Sequence, residues 1–404
     1  MELNNKVFKL EGKVQHYAWG GYNFIPQLLG IKNNEHLPYA EYWMGAHPSA
    51  SSELIVNKKA QSLYELIKQS PAEILSKKVF NEFGELPYLF KILDVRDMLS
   101  IQVHPSKTEA EKGFEAEEKT GVPINHPQRN YKDKNHKPEV MVALTEFWLL
   151  HGFKSKGKIE QILEDVREFN ILKPLFKNGD YKALYQFVME MKQEDIDAML
   201  ENLVLNEIRK KQAGELTKAD AGWWVSKLFE GKNEIKNVDR GIFSIYFFNI
   251  VKVNKGEAVF QGAGVPHAYL EGVNVELMAN SDNVLRGGLT NKYIDVPELM
   301  KHIIFEPVIP HIIKGNETGK FEKSYPCPVD DFGISKIQLN PNETYHSFSI
   351  SFEIIIAIEG GYIVNTDTDN LAIKQGEALA VLPDTHYDIV SSGNCLLFKA
   401  FVPV

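Results

Sequence analysis

Two flanks of short apolar segments enclose one block with the period of an α-helix, and neither flank alternates strands with helices. The first flank holds KVFKL, YLFKIL, LSIQV and EVMVALTEFWLLHGF. From Gly241 onward come GIFSIYFFNIVKVNKGEAVF, GVPHAYL, YHSFSISFEIIIAIEGGYIV, LAIKQGEALAVLP and CLLFKAFV. Aromatic and β-branched runs separated by glycine-rich turns predict strands. Without intervening helices they cannot form a doubly wound parallel sheet, so they must bury their apolar faces on one another as sandwiches or jelly rolls. Between the flanks, Ile159, Ile162, Leu163, Val166 and Phe169 recur at helical spacing, and Ile196, Met199, Leu200, Leu203, Val204 and Ile208 repeat it. Met191 and Met199 read as packing residues of this helical block, which is expected to end near Ile235. Shorter helices are expected at SLYELIKQS and at SKTEAEKGFEAEEKTG, the second with Ser106 as its N-cap.

A chain of 404 residues exceeds what one hydrophobic core usually organises. The expected fold is therefore mainly β with a helical insertion. One β module takes residues 1–152 with 236–310, the inserted helical domain takes 153–235, and a carboxy-terminal β module takes 311–404. The 54 acidic residues outnumber the 45 basic ones, which argues against nucleic acid or an anionic membrane as the main partner while leaving room for a locally basic pocket. The first residues are too polar for a secretory signal, and no run of 18 apolar residues follows. Two cysteines, Cys327 and Cys395, support no disulfide framework, so a cytoplasmic setting is expected. A tightly held metal would have to use His, carboxylate or amide ligands.

Three segments carry candidate chemistry. In IQVHP, strand alternation puts Gln102 and His104 on one face and Val103 on the other. That pair either satisfies itself at a strand end or holds something between its members. NHKPEV offers His136 and Glu139. In GAGVPHAYLEGVNVELMANSDNVLRGGLTNK, a turn at Gly262, Gly264 and Pro266 fixes His267, and Tyr269, Glu271, Glu276, Asp282, Arg286 and Lys292 follow. His267 is either a turn histidine bonded to backbone or a neutral-imidazole ligand. No His-Glu-x-x-His helix is present to supply a metalloprotease base.

Taken in order, VQHYAWGG, YAEYWMGAHPSA, LSIQVHPSKTEAE, HKPEVMVAL, GVPHAYLEG and ELMANSDNVLRGGLTNKYIDVPEL resemble the zinc-dependent mannose-6-phosphate isomerases of the long, helix-inserted type. The resemblance implies two cupin-like jelly-roll β modules plus an α-helical domain. It also implies one Zn2+ per chain, held by Gln102, His104, Glu139 and His267. The implied reaction is the reversible isomerisation of mannose 6-phosphate and fructose 6-phosphate through an enediol(ate), in a monomer. By the same comparison Arg286 is catalytic, Glu276 and Lys137 are the candidates for the base, and Ser100, Tyr269 and Lys292 contact substrate. Trp19 would wall the pocket. An ion pair of Arg286 with Glu276 or Asp282 is the competing structural reading. The chain departs from the family wording at Val103, where alanine is frequent, and in RGGLTNK, where alanine and proline often take the second and sixth positions. A non-enzymatic, metal-containing sugar-phosphate-binding or regulatory protein is the alternative of a different class, and an isomerase for another phosphosugar is the closer one. In the carboxy-terminal module, Glu353 and His386 read as structural, and no second metal is expected.

Overall fold

The computed structural model describes residues 5–232 and 234–404. Three sheets and a helical block are layered according to which faces each segment must bury. A four-stranded sheet (Thr344–Ser349, Thr385–Ser391, Tyr362–Asn365, Asn370–Ile373) packs on a nine-stranded sheet that contains Cys395–Phe401, Glu353–Glu359 and Ala378–Val381. Within Glu353–Glu359, Ile355 and Ala357 enter the core shared with the four-stranded sheet, whereas Ile354, Ile356 and Ile358 enter the core on the opposite face. A strand buried on both faces reads as an unbroken apolar run, which is why EIIIAI lacks alternation. Val7–Glu11 and Glu53–Val56 extend this same sheet, with Val7 opposite Val381. Ladder hydrogen bonds thus join the start of the chain to the carboxy-terminal β module.

The ten-stranded sheet positions the site. Its long strand, His267–Ala279, pairs through its first half with Phe147–Phe153 and through its second half with Tyr88–Val95 and Glu139–Ala143. At the bend between the halves Gly272 has φ 130°, and a Cβ there would lie 2.6 Å from the Phe147 ring and 2.7 Å from the Glu146 carbonyl oxygen. Glycine alone tolerates both conditions. The bend turns the two halves toward a shared interior, where Leu93, Met141 and Val259 from one half meet Leu149, Val253 and Tyr269 from the other.

Helices cover the outside of the first half. Lys156–Asp165, Tyr181–Glu190, Gln193–Gln212 and Ala221–Lys227 form one core with Ile101, Val103, Leu150 and Leu285. Leu63–Gln69 and Lys107–Thr120 are helices as expected, the second with a capping box between Ser106 and Glu109. GIFSIYFF differs from expectation: Gly241–Phe247 is a helix, and the strand starts only at Phe248. All seven helical residues are buried. No polar face interrupts the run, so its period could not distinguish helix from strand. No described helix is long and apolar enough to cross a membrane.

Candidate metal centre and substrate pocket

Backbone register brings the distant motifs together. His267 stands opposite both His151 and Gln102, and Gln102 stands opposite Arg286. Directly opposed residues share a face, so His151, His267, Gln102 and Arg286 form one row across four strands. Gln102 lines the same small cavity as Glu139 and His267. Val103 faces the other way, fully buried in the helical core.

The three ligand-type side chains His104, Glu139 and His267 are buried, with their candidate donor atoms within 4.8 Å of one another. His104 Nε2 lies 3.3 Å from Glu139 Oε1, and His267 Nε2 lies 3.4 Å from Oε2. Each imidazole is oriented from behind: His104 Nδ1 donates to the Asn283 carbonyl at 3.0 Å, and His267 Nδ1 to the Val265 carbonyl at 2.9 Å. Those bonds put the protons on Nδ1 and leave the Nε2 lone pairs facing the carboxylate. Burial, reinforced by the Lys137 charge, lowers the His104 pKa to about 4, so this ring is neutral near pH 7. His104 Nε2 has no hydrogen-bond partner among the described residues. Two imidazole lone pairs and a carboxylate converging on one another fit a cation, and the N/O set suits zinc.

The remaining candidates fall into two groups around this centre. Lys137 lies 2.8 Å from Glu139 Oε1. Although burial opposes it, this ammonium and His104 hold the Glu139 carboxyl well below its ordinary range. Glu276 is buried, accepts from the Tyr269 hydroxyl at 2.8 Å, and lies 3.3 Å from Lys91. Burial raises its pKa against the pull of Lys91. Lys91 also lies 3.4 Å from Glu41, so one buried ammonium serves two carboxylates. Ser100 lines the same cavity, as does Tyr269. Trp19 instead packs at the edge of the interior apolar cluster and stacks with Tyr17 at 5.9 Å.

Arg286 makes neither of the ion pairs its sequence neighbours suggested. Glu276 is engaged by Lys91, and Asp282 lies 3.4 Å from His47. Among the described residues, no carboxylate lies within ion-pair distance of the Arg286 guanidinium, and burial lowers its pKa. Lys292 is exposed, and its pKa is lowered by burial, then by the charges of Arg286 and Lys132. Arg286, Lys292 and Lys132 thus lie near enough for their charges to act on one another. The loop that carries Arg286 and Lys292 is pinned to the helical block: Asp239 Oδ1 accepts from the Leu289 and Gly241 amides, each at 2.7 Å. Gly288, at φ 124°, leaves the space in which a Cβ would lie 2.6 Å from the Gly241 backbone.

Sequence reasoning did not single out Lys91, Glu41, His47 or Lys132. Lys91 and Glu41 carried a readable signal, a lone charge inside the buried segments YLFKIL and YAEYWMG.

A folded-over β sheet with a buried His-Glu-His centre beside unpaired cations defines a metal-dependent enzyme pocket on a cupin-type fold. Residues 7–156 match the family description "Phosphomannose isomerase type I, catalytic domain". The mannose-6-phosphate isomerase of Salmonella typhimurium is 38% identical over 388 residues, covering 93% of this chain and 95% of that protein. The human enzyme is 33% identical over 398 residues, covering 91% of each. The solved Salmonella typhimurium enzyme described as bound to substrate (fructose 6-phosphate) and zinc superposes with a TM-score of 0.87 at 34% identity, covering 99% of this chain and 100% of that one. A zinc-bound mannose 6-phosphate isomerase structure superposes at 0.88. The chain belongs to the mannose-6-phosphate isomerase family.

Proposed function

We propose that this chain is a zinc-dependent mannose-6-phosphate isomerase, whose four metal ligands are Gln102, His104, Glu139 and His267. The carrying observation is the convergence of three electron-pair donors beside the unpaired Arg286. When bound, zinc supplies a Lewis acid that polarises a sugar oxygen. Moving the proton between C2 and C1 needs a base within the pocket and positive charge for the enediolate. Glu276 is assigned as the base: it lines the cavity, and Tyr269 and Lys91 orient it. Lys137 is engaged by Glu139 and is assigned to holding that ligand. Arg286 faces the enediolate or phosphate oxygens, Lys292 and Lys132 supply further positive charge for the phosphate, and Ser100 donates to a substrate oxygen. Trp19 belongs to the outer wall.

A purely binding or regulatory role is not favoured, because the chain matches the catalytic domain of the isomerases and aligns with them over most of its length. The finer reading takes the enzyme as a cytoplasmic monomer that acts on free sugar phosphates, with neither nucleic acid nor membrane as partner. It retains the division into residues 1–152 with 236–310, 153–235 and 311–404, with Val7–Glu11 and Glu53–Val56 lending strands to the sheet of the last unit. Purified protein should interconvert the two sugar phosphates, lose activity to a chelator and regain it with zinc. Absence of turnover in folded, zinc-replete protein would refute the assignment. Light scattering tests the monomer.

A further inference from the structure

The helix Val296–His302, which follows Lys292, is tied to the Asn130–Tyr131 segment and, just beyond its end, to the turn before His267. Its N-cap Asp295 accepts from Asn130 Nδ2 at 2.9 Å. Glu298 accepts from the Tyr131 hydroxyl at 2.6 Å. At its other end His302, 5% exposed in its side chain, directs Nε2 at the Tyr131 oxygen (2.7 Å) and Glu298 (3.2 Å), while Nδ1 lies 3.3 Å from Glu109. Just beyond, the Ile304 amide donates to the Gly264 carbonyl at 2.9 Å, and the Gly264 amide donates to the carbonyl of His104 at 3.0 Å. Tyr131 precedes Lys132, whose amide donates to Asn283 Oδ1 at 2.7 Å, and Asn283 also orients His104.

Both ring nitrogens of His302 face oxygen. Tyr131 uses its own proton on Glu298, so Nε2 must donate, while Nδ1 makes no hydrogen bond among the described residues but lies at ion-pair distance, 3.3 Å, from the Glu109 carboxylate. The ring thus sits between the Glu109 and Glu298 carboxylates, at 3.3 and 3.2 Å, and only its protonated form pairs with both. We infer that His302 is a positioning residue whose protonated ring latches the helices Lys107–Thr120 and Val296–His302 to the Tyr131–Lys132 segment, setting the spacing between the phosphate-side cations and the metal ligands. This rests on the assignment of Arg286, Lys292 and Lys132 to the phosphate.

The facing groups fit. Glu298 is held at about 2, chiefly by His302, and Glu109 is lowered as well, with Ser106 and His302 outweighing its burial. Burial and Glu298 raise the Tyr131 pKa, so the phenol keeps its proton. Against its own burial, His302 is raised by Glu298 and Glu109. Farther out, Glu117 and Glu118 are engaged by Arg129, and Lys301 pairs with Glu298. A raised imidazole is fully protonated below its ordinary value and releases the latch as pH rises through its folded value.

Zinc-loaded wild type, His302→Leu and His302→Gln should be compared for zinc content, kcat, KM for mannose 6-phosphate and inhibition by inorganic phosphate. His302→Leu should raise KM and weaken phosphate inhibition about tenfold, with kcat and zinc content little changed; His302→Gln, keeping one donor, should recover part of the loss. The variant-to-wild-type ratio of KM should fall toward one as pH rises from about 6 to 9, since the latch then opens in wild type too. Ionisation of the substrate phosphate cancels in that ratio. A folded His302→Leu enzyme with unchanged KM, or a ratio independent of pH, would overturn the inference. Should that variant not fold, Tyr131→Phe, which deletes one hydroxyl, carries the same KM and phosphate measurements. Lys292→Ala separates the two claims: unchanged KM there refutes the phosphate assignment, whereas a raised KM there with none in His302→Leu refutes only the latch.

Discussion

In the carboxy-terminal module, Lys399 lies 3.0 Å from Glu322 and donates to the Tyr345 hydroxyl at 2.8 Å. Tyr345 in turn donates to Glu322, and Tyr387 donates to Glu353 at 2.6 Å. In the ten-stranded sheet, Lys91 is likewise shared by two carboxylates, but beside it three acceptors converge on one another. Both interiors bury charge. One closes donors onto its carboxylates; in the other, although Lys137 meets one Glu139 oxygen, two imidazole lone pairs still face that carboxylate, an arrangement that suits a cation. The functional interior is thus marked by its unmatched hydrogen-bond inventory rather than by the number of charges it holds.

The comparison breaks if the first interior can do without its carboxylate ligand. Glu139→Gln should lower zinc occupancy and reduce turnover by about 10²-fold or more, read by metal analysis and steady-state kinetics. Native zinc content in that variant would place the metal elsewhere. The converse belongs to the closed interior. Lys399→Met leaves Glu322 and Glu353 without their cation and should cost about 3 kcal/mol in denaturant unfolding, yet leave zinc stoichiometry unchanged. Arg286→Ala sharpens the contrast further: turnover should fall about 10²-fold if the guanidinium serves the enediolate, whereas a raised KM with steady kcat assigns it to the phosphate. Tyr269→Phe removes one donor from Glu276 and should reduce kcat about tenfold at unchanged zinc content. The smallest effect concerns Asp282, which His47 holds down to about 2. A depressed carboxyl stabilises the fold above its unfolded value near 3.8 and loses that contribution as pH falls toward 2. In acid unfolding curves Asp282→Asn should flatten this window slightly, because the side chain is 46% exposed and solvent-screened.

The layers were legible wherever a segment has one wet face. Period identified Gln193–Gln212, and capping chemistry identified the helix after Ser106. Gly241–Phe247 was not legible, because a segment buried all round erases its own period. The same rule applies at the site. Gln102, His104, Glu139 and His267 were singled out through ordered motifs, while the partners of Glu276 and Asp282 depended on long-range register. Pairing Lys91 with Glu276 requires that Tyr88–Val95 lie antiparallel to the second half of His267–Ala279, which neither segment announces locally. The competing ion pairs of Arg286 with Glu276 or Asp282 rested on sequence proximity alone, and the fold gave both carboxylates to other residues.

Gly272 has a consequence for how the chain tolerates length changes. His267 and Glu276 lie on one continuous strand an odd number of residues apart, and the register shift between Tyr269 and Glu271, next to Gly272, is what lets both face the interior. One residue inserted just after Gly272 would invert every side chain from Val273 to Ala279, sending Glu276 toward the apolar layer and Val275 into the pocket, while His267 kept its place. Length polymorphism in this strand would therefore uncouple metal retention from turnover at a stroke.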